Sequence, residues 1–472
     1  MAAREYDLVV IGAGPVGENV ADRAKQGGLS VAVVESELVG GECSYWACMP
    51  SKTLLRSGAA LRAARDVDGA RQAVTGSVDV AAALRRRDAI VHDWDDTSQV
   101  DWLRGAGIDL VRGHGRLTAE REVTVTDPGG EEVVLAARHA VVVSTGSAAL
   151  LPDIEGLKDA APWTSRDATG VRDVPSSLAI LGGGVVGCEM ATLFASFGCA
   201  VTLIARSGLL GSMEPFAGEA VVEALRNAGA EVRTGVDVET ASREPDGDVV
   251  LTLSDGSQVR AAEVLVATGR VPRTGDVGLE SVGLAPGSWL DVDDTLRVRG
   301  FDWLYAVGDV THRALLTHQG KYQARAAGDV IAARARGGDV DDAPWGRHVA
   351  TADHSAVPQV TFTDPEVASV GHTEASATAA GLGIRVVDYD LSWVSGASTH
   401  ADHYQGRARA IFDERRRVLV GATFVGPDVA ELLHSATISI VGEVPIDRLW
   451  HAVPAYPTVS EVWLRWLEEL GR

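Results

Sequence analysis

Asp7-Leu-Val-Val-Ile11 and Gly12-Ala-Gly-Pro-Val-Gly17 open the stretch that most constrains the fold. A helical segment follows as far as Gln26, and a second apolar run, Leu29 to Val34, ends at Glu35. Strand, glycine turn, helix and strand in this order predict a βαβ unit.

The three glycines of this turn have separate physical tasks. Gly12 makes the tight turn, Gly14 lets a diphosphate approach the backbone, and Gly17 lets the helix pack on the strand. The positive end of the helix faces the diphosphate, and Glu35 is placed to accept hydrogen bonds from ribose hydroxyls. We therefore predict that this unit binds a dinucleotide.

A second copy of the pattern begins at Ser177. Leu178-Ala-Ile-Leu181 predicts a strand, Gly182-Gly-Gly-Val-Val-Gly187 a turn, and the helix runs to Gly198 before a strand over 200–204. Its turn glycines are Gly182, Gly184 and Gly187. The chain therefore contains two dinucleotide folds.

The residue that corresponds to Glu35 in the second copy is Ala205, and Arg206 follows it. An acid at this position would repel the 2′-phosphate of NADPH, whereas an arginine attracts it. The pattern favours NADPH over NADH at the second turn. The alternative is that Arg206 is a solvated surface residue.

Each copy is followed by an apolar strand that ends in Thr-Gly. The first is Ala140-Val-Val-Val-Ser-Thr145-Gly146, and the second is Val264-Leu-Val-Ala-Thr-Gly269-Arg270. Paired turns with paired endings indicate a duplicated architecture. Leu150 to Gly156 has the composition of a linker, and from about residue 346 shorter strands and helices without a phosphate loop predict a third unit.

The composition is that of a globular protein, with 46% hydrophobic and 23% charged residues and a net charge of -22. This charge repels nucleic acid and anionic membrane surfaces. No apolar stretch reaches the roughly 18 residues that a membrane span requires, and no signal peptide is apparent. With only four cysteines, a cytoplasmic location is expected.

Two of the cysteines lie in Gly40-Gly-Glu-Cys43-Ser-Tyr-Trp-Ala-Cys48-Met-Pro-Ser-Lys52. Cysteines five residues apart do not face each other on a regular helix, so a bridge requires a distorted first turn. A helix N-terminus and a nearby cation would give a thiolate. Zinc binding is disfavoured because no second pair of ligands has the spacing, and two unrelated buried thiols are the remaining alternative. Only four lysines occur, Lys25, Lys52, Lys158 and Lys321, so a lysine here is unusual.

Residues 40–52 resemble the redox-active segment of the flavoprotein disulfide reductases, a family that includes lipoamide dehydrogenase, glutathione reductase and mercuric reductase. The resemblance extends over essentially the whole chain. It includes both glycine turns, Ala267 to Arg270, Tyr305-Ala-Val-Gly308-Asp309 and the segment from Val357 to Gly371.

The resemblance implies an α/β fold with two Rossmann-like dinucleotide-binding domains and a C-terminal α+β dimerisation domain. Residues 1–150 and 276–345 would bind FAD, residues 151–275 would bind NAD(P)H, and residues 346–472 would form the interface of a homodimer. The partners would be this second copy and a small oxidised acceptor. No metal site is expected.

By the same resemblance, Cys43 would be the thiol that meets the substrate, and Cys48 the thiol beside the flavin. Lys52 would lie near flavin N5 and pair with Glu189, and Asp309 would hold the ribityl and diphosphate region of FAD. These roles imply an enzyme that passes electrons from NADPH through FAD to the Cys43-Cys48 disulfide and on to a disulfide-type acceptor.

The C-terminal segment His451-Ala-Val-Pro-Ala-Tyr456-Pro-Thr-Val-Ser-Glu461 departs from the family pattern. Tyr456 stands where the family has the histidine that Glu461 would orient, and a tyrosine with a reference pKa near 10 is a poor base at neutral pH. His451 is either a substitute or a surface residue. The tyrosine is shared with mercuric reductase and soluble transhydrogenases, although the former uses a C-terminal cysteine pair and the latter usually lack a second active-site cysteine.

Two further features leave alternatives open. The bulky pair Tyr45-Trp46 between the cysteines either packs the distorted turn or shapes the substrate face. His400 and His403 invite a metal interpretation, but a solvated loop is favoured. The alternative functions are a quinone or metal-ion reductase, a transhydrogenase-like flavoenzyme, and a flavin-binding redox sensor with negligible turnover.

Overall fold

A computed structural model describes residues 3–471 of the chain. The strands are β1 (Arg4–Ile11), β2 (Val31–Glu35), β3 (Asp109–Arg112), β4 (His114–Ala119), β5 (Glu122–Thr126), β6 (Glu132–Val143), β7 (Ser147–Ala149), β8 (Ser177–Leu181), β9 (Ala200–Ala205), β10 (Glu231–Thr234), β11 (Val238–Arg243), β12 (Val249–Leu253), β13 (Gln258–Ala261), β14 (Glu263–Val266), β15 (Arg270–Pro272), β16 (Leu304–Ala306), β17 (Gln359–Thr361), β18 (Glu366–Gly371), β19 (Ile384–Asp390), β20 (Arg407–Asp413) and β21 (Val418–Gly426). The α-helices are α1 (Pro15–Gln26), α2 (Gly41–Tyr45), α3 (Cys48–Arg65), α4 (Val80–Ile90), α5 (Thr97–Ala106), α6 (Ser165–Thr169), α7 (Val185–Ser196), α8 (Pro215–Asn227), α9 (Thr317–Ala335), α10 (Glu374–Ala379), α11 (Ser395–His400), α12 (Leu433–Val441), α13 (Ile446–Leu449) and α14 (Val462–Glu469).

The chain forms two compact units. The first comprises the chain up to Pro50, Asp88–Ala148 and Arg270–His354. The second comprises Ser51–Arg87, Ala149–Gly269 and the chain from Ser355 onward. The predicted boundaries at residues 150, 275 and 345 lie within ten residues of these divisions, whereas the segment 51–87 groups with the second unit.

The first unit is built on one sheet. Strands β3, β2, β1, β6 and β16 run parallel in that order, and β5 and β4 continue antiparallel from the first half of β6. Leu8 to Ile11 of β1 are all buried, as expected where helices cover both faces of a parallel sheet. Small residues let α1 and α9 pack closely, since a Cβ at Gly320 would lie 2.5 Å from a methyl of Val16.

The second unit contains a parallel sheet of order β10-β9-β8-β14 and an antiparallel sheet of β11, β12 and β13. It also contains the antiparallel sheet β17-β18-β21-β20-β19. Every residue of β21 is buried, and α12 packs on this strand. The predicted α/β class, with two Rossmann-like sheets and a C-terminal α+β region, is confirmed.

The search for membrane spans covered residues 3–471, and none of the helices there combines the length and the apolar character that crossing a bilayer needs.

Candidate active site

The first glycine turn joins β1 to α1 under tight steric limits. Gly12 has φ +103°, and a Cβ there would lie 2.4 Å from the carbonyl oxygen of Ser144. A Cβ at Gly17 would lie 1.9 Å from the carbonyl oxygen of Gly12. Both positions therefore require glycine for reasons internal to the fold.

Gly14 differs from its two neighbours because no protein atom lies within 4 Å of the position a Cβ would occupy. It is the N-cap of α1, with φ −67°. No protein atom prevents a side chain at Gly14. The open space at the helix N-terminus therefore fits the approach of a diphosphate.

Glu35 ends β2 beside this turn. Its carboxylate accepts hydrogen bonds from the backbone N–H of Ala13 at 2.7 Å and of Glu37 at 2.8 Å. Burial raises the pKa of Glu35, and these two hydrogen bonds oppose the rise. The side chain is held in place with acceptor capacity left over, which fits recognition of ribose hydroxyls.

The second glycine turn, between β8 and α7, repeats this geometry. Gly182 has φ +117° and a Cβ there would lie 2.3 Å from the carbonyl oxygen of Ala267, while one at Gly187 would lie 1.9 Å from that of Gly182. Gly184 is again the open N-cap position. Arg206 is exposed directly after β9, so its guanidinium is available to a ligand.

Asp309 lies in a polar cluster at the end of β16. Its carboxylate accepts a hydrogen bond from the Ser147 hydroxyl and lies 3.7 Å from Nε of Arg270. Gly308, with φ +75°, donates its N–H to Oε1 of Gln323 at 2.8 Å. The cluster can hold the hydroxyl-rich part of a dinucleotide.

The two Thr-Gly endings turn the chain away from the sheets. The Thr145 hydroxyl donates to the carbonyl oxygen of Arg273 at 2.6 Å. Gly146 has φ +74° and Gly269 has φ +150°, backbone conformations that favour glycine.

The cysteine segment forms two helices, α2 and α3, where the spacing predicts a distorted first turn. Cys43 lies in the five-residue helix α2, and Cys48 begins α3. The break at residues 46–47 brings the two thiols into a hydrogen-bonding contact, which sequence spacing alone could not locate.

The electrostatic surroundings of this pair are mixed. Sγ of Cys48 lies 3.2 Å from Oγ1 of Thr317, the first residue of α9. The hydrogen bond with Cys48 and burial raise the pKa of Cys43, whereas the Thr317 hydroxyl and the charge of Lys321 lower it. Sequence reasoning missed Thr317; the rarity of lysine was the signal for Lys321.

Tyr45 packs the turn between the cysteines. Its ring is buried, with 2% of its surface exposed, and its hydroxyl donates to Oε1 of Gln99 at 2.9 Å. Trp46 is half-buried, and its ring centroid lies 5.7 Å from that of Tyr45. The packing interpretation therefore holds for Tyr45.

Lys52 lies one turn after Cys48 in α3. Its ammonium forms an ion pair with Glu189 of α7 at 2.7 Å and lies 5.1 Å from the ring centroid of Phe362. The second oxygen of Glu189 accepts from the Phe362 N–H at 3.0 Å. The pairing implied by the family resemblance is present, and it orients the ammonium.

Tyr456 and Glu461 do not form a pair of the kind that a histidine and its orienting acid would make. The Tyr456 side chain is 75% exposed, whereas Glu461 is buried and lies 3.5 Å from the guanidinium of Arg465. His451 is exposed. Nε2 of His400 lies 3.2 Å from Asp428, which gives that imidazole a carboxylate partner.

Two dinucleotide turns and a dithiol at the start of a helix define a flavin-dependent, nicotinamide-linked disulfide oxidoreductase. The family model described as pyridine nucleotide-disulphide oxidoreductase matches residues 6–329, and the model of that family's dimerisation domain matches residues 357–466. The chain belongs to this family, whose members use FAD and a pyridine nucleotide.

Curated relatives span almost the whole chain. Mercuric reductase of Streptomyces lividans is 34% identical over 467 residues, covering 97% of this chain and 94% of the relative. Mercuric reductase of Shigella flexneri is 33% identical, covering 96% and 79%. Dihydrolipoyl dehydrogenase of Chlamydia muridarum is 30% identical, covering 97% and 95%.

Solved structures support the same fold. The HOCl-induced flavoprotein disulfide reductase RclA of Escherichia coli aligns with a TM-score of 0.84 at 24% identity, covering all of both chains. LpdA of Mycobacterium tuberculosis aligns with a TM-score of 0.83 at 22% identity, covering 99% of this chain and 100% of that one.

Proposed function

We propose that the enzyme passes electrons from NADPH through FAD to a Cys43-Cys48 disulfide and then to a disulfide-type acceptor. The observation that carries the proposal is the contact of the two thiols across the break between α2 and α3, next to Thr317. A dithiol in hydrogen-bonding contact can close into a disulfide with little backbone movement.

The first glycine turn is proposed to hold FAD. The open N-cap at Gly14 would receive the diphosphate, Glu35 the ribose, and Asp309 the ribityl region. When bound, FAD accepts a hydride from the nicotinamide and passes two electrons to the disulfide.

The second glycine turn is proposed to hold NADPH, with Gly184 at the diphosphate and Arg206 at the 2′-phosphate. The support for the phosphate is the exposed guanidinium of Arg206, which directly follows Ala205, the residue that corresponds to Glu35 of the first turn. Arginine binds phosphate with its planar fork of N–H donors.

The residues then carry a balanced exchange. Two electrons open the Cys43-Cys48 bond, and one proton taken up leaves one thiol and one thiolate. The thiolate is first Cys48, beside the flavin, and Cys43 carries the proton. Cys43 then attacks one sulfur of the acceptor disulfide, and its proton goes to the other sulfur, which leaves as a thiol. The Cys48 thiolate attacks Cys43, which restores the internal disulfide and releases the second product thiolate, which takes a proton from water.

A homodimer and a cytoplasmic location belong to the same proposal. The dimerisation-domain match supports the homodimer. So does α12, where the apolar side chains of Ile438 and Val441 are 56% and 40% exposed. A chain with four cysteines, two of them kept as a redox pair, fits a reducing compartment.

The deciding experiment is anaerobic titration of the purified protein with NADPH and separately with NADH. A long-wavelength thiolate-to-flavin absorbance band after the addition of two electrons supports the proposal. Reduction that is half complete at a lower concentration of NADPH than of NADH supports the nucleotide choice. Simple bleaching of the flavin would show that the cysteines take no electrons.

Variants separate the two half-reactions. Cys43→Ser should abolish disulfide reduction and leave flavin reduction by NADPH intact. Cys199→Ser changes a cysteine far along the chain from the pair and should change neither rate. Loss of flavin reduction in Cys43→Ser would contradict the assignment of roles.

A second candidate is a quinone or metal-ion reductase, or a transhydrogenase-like enzyme. It is favoured by Tyr456, because such acceptors need no histidine acid. Quinone reduction that survives Cys43→Ser combined with Cys48→Ser would select it over disulfide reduction.

A further inference from the structure

The buried face of α9 carries a hydrogen-bond network that no step of the proposed exchange uses. Gln319 and Gln323 lie four residues apart on this helix, so their side chains point to the same side. Both donate to Asp353, in the short helical turn Thr351–His354 at the end of the first unit. Burying a carboxylate is expensive unless its oxygens are paired, and apolar side chains would pack such a site at no greater cost. Packing alone therefore does not explain these polar groups.

Gln323 joins the carboxylate of Asp353 to the backbone of Gly308. Its Oε1 accepts a hydrogen bond from the Gly308 N–H at 2.8 Å, and its Nε2 donates to Oδ2 of Asp353 at 2.9 Å. One end of this bridge needs an acceptor and the other needs a donor. Glutamine supplies both without any change of protonation, so the residue type matches its two partners.

The remaining contacts of Asp353 complete the network. Its Oδ1 accepts from Nε2 of Gln319 at 2.8 Å, and a guanidinium nitrogen of Arg313 lies 3.6 Å from Oδ2. The Asp353 side chain is 1% exposed, and Gln323 is fully buried. Burial raises the pKa of Asp353, and the hydrogen bonds from the two glutamines and the charge of Arg313 oppose the rise. A buried network whose members are all paired fixes one arrangement of the groups it joins.

The backbone that this network holds belongs to the proposed FAD site. Gly308 has φ +75° and directly precedes Asp309. The Asp309 carboxylate is held separately, by the Ser147 hydroxyl and by the nearby guanidinium of Arg270. Gly308 also lies against the start of α9, since a Cβ at Gly320 would lie 3.2 Å from Cα of Gly308. The turn is therefore anchored through its backbone by Gln323 and through its acidic side chain by the polar cluster.

We propose that Gln323 is a positioning residue for FAD. Anchored by Asp353 and Gln319, it fixes the backbone at Gly308, so that the Asp309 carboxylate meets the hydroxyl-rich part of the cofactor in one orientation. The inference rests on the proposed function, because the position of this turn matters only if Asp309 binds FAD. It gives a task to three buried side chains that the proposed electron transfer leaves unused.

The first test is Gln323→Met, which keeps the length of the side chain and removes both hydrogen bonds. The buried Gly308 N–H loses its acceptor and the turn is no longer held, so the dissociation constant for FAD should rise about tenfold. Flavin fluorescence on dilution of the FAD-loaded protein measures this constant. Val330→Ala is the control for a loss of stability alone, because Val330 is a fully buried core residue two turns further along α9. It should lower the unfolding midpoint and leave the dissociation constant unchanged.

A second pair of variants tests the network without removing Gln323. Asp353→Asn brings an amide N–H₂ group against the Nε2 of one of the two glutamines, and because both groups are donors, FAD binding should weaken. Combining Gln319→Glu with Asp353→Asn exchanges the amide and the carboxylate and keeps the net charge. The new amide can then donate to the new carboxylate and still accept from Gln323, so the dissociation constant for FAD should return close to the wild-type value.

Three outcomes would overturn the proposal: an unchanged dissociation constant in Gln323→Met, an equal weakening of FAD binding in Val330→Ala, or no recovery when Gln319→Glu is combined with Asp353→Asn. Because the binding assay uses neither NADPH nor acceptor, its failure is distinct from failure of the proposed function. The latter would appear as cysteines that take no electrons from NADPH in the wild-type enzyme with its flavin fully bound.

Discussion

The two glycine turns have the same backbone and different chemistry around it. A Cβ at Gly17 and one at Gly187 would each lie 1.9 Å from the carbonyl oxygen of the first glycine of its turn. The residue after the third glycine is Glu18 in one copy and the buried Cys188 in the other. Duplication therefore preserved the phosphate cradle, whereas ligand choice and charge were left to the residues next to it.

The largest effects are expected at Gly17 and Gly187, where the two turns have the same geometry and leave no room for a side chain. Gly17→Ala and Gly187→Ala should each lower the free energy of unfolding by about 3 kcal/mol, because a Cβ overlaps a carbonyl oxygen. Gly17→Ala should also be purified with little flavin, while Gly187→Ala keeps its flavin and loses NADPH oxidation. Flavin absorbance and denaturant unfolding measure these effects.

Gly105→Ala is the control for both variants, since nothing lies within 4 Å of a Cβ at this position of α5. It should leave flavin content and stability close to wild type. Equal flavin loss in Gly17→Ala and Gly187→Ala would show that the two turns do not have separate ligands.

Substitutions at the two open N-cap positions, Gly14 and Gly184, should weaken ligand binding without lowering the stability of the fold. Gly14→Ala and Gly184→Ala meet no protein atom within 4 Å, so the free energy of unfolding should stay within about 1 kcal/mol of wild type. Gly14→Ala should weaken FAD binding, and Gly184→Ala should raise the KM for NADPH, each by about tenfold or more because a methyl group meets the diphosphate. Flavin fluorescence and steady-state kinetics test the pair, and a stability loss with unchanged binding would contradict the assignment.

The next largest effect is expected at Arg206, which lies near the proposed ribose site of the second glycine turn, one residue after the position that corresponds to Glu35 of the first. Arg206→Glu should reverse the nucleotide preference, lowering the ratio of kcat/KM for NADPH to that for NADH by about tenfold or more, since a carboxylate repels the 2′-phosphate. Arg172→Glu places the same charge change at an exposed site before β8 and should leave the ratio unchanged. An unchanged ratio in Arg206→Glu would show that Arg206 does not contact the 2′-phosphate.

The smallest expected effect is a pH-dependent change in thermal stability at Glu18, the position that Cys188 occupies in the second copy. Because the folded-state pKa of Glu18 is raised to about 7, the protonated form stabilises the fold, and this contribution is lost as pH rises from the ordinary glutamate range through 7. Glu18→Gln should therefore match the wild-type Tm at low pH and exceed it by a few degrees above neutrality. Thermal unfolding across that range tests this, and a constant difference at all pH values would contradict it.

Much of the fold could be read from local patterns. The runs of β1 and β8 are continuously apolar because both faces of a parallel sheet are buried, and the glycines mark the turns between strand and helix. The position of the break between Cys43 and Cys48 could not be read in this way. It depends on Tyr45, which is buried beside Gln99, a residue 54 positions away in the chain.

The sequence by itself determined the class of protein, because phosphate-binding turns, paired cysteines and apolar strands are local features with fixed spacing. It also singled out Lys52 with Glu189 through resemblance, and Tyr456 as a departure. Only the tertiary structure decided that Thr317 contacts Cys48 and that Tyr45 donates a hydrogen bond to Gln99. These relations join residues far apart in the chain, and burial and charge depend on which helices pack together and not on sequence spacing.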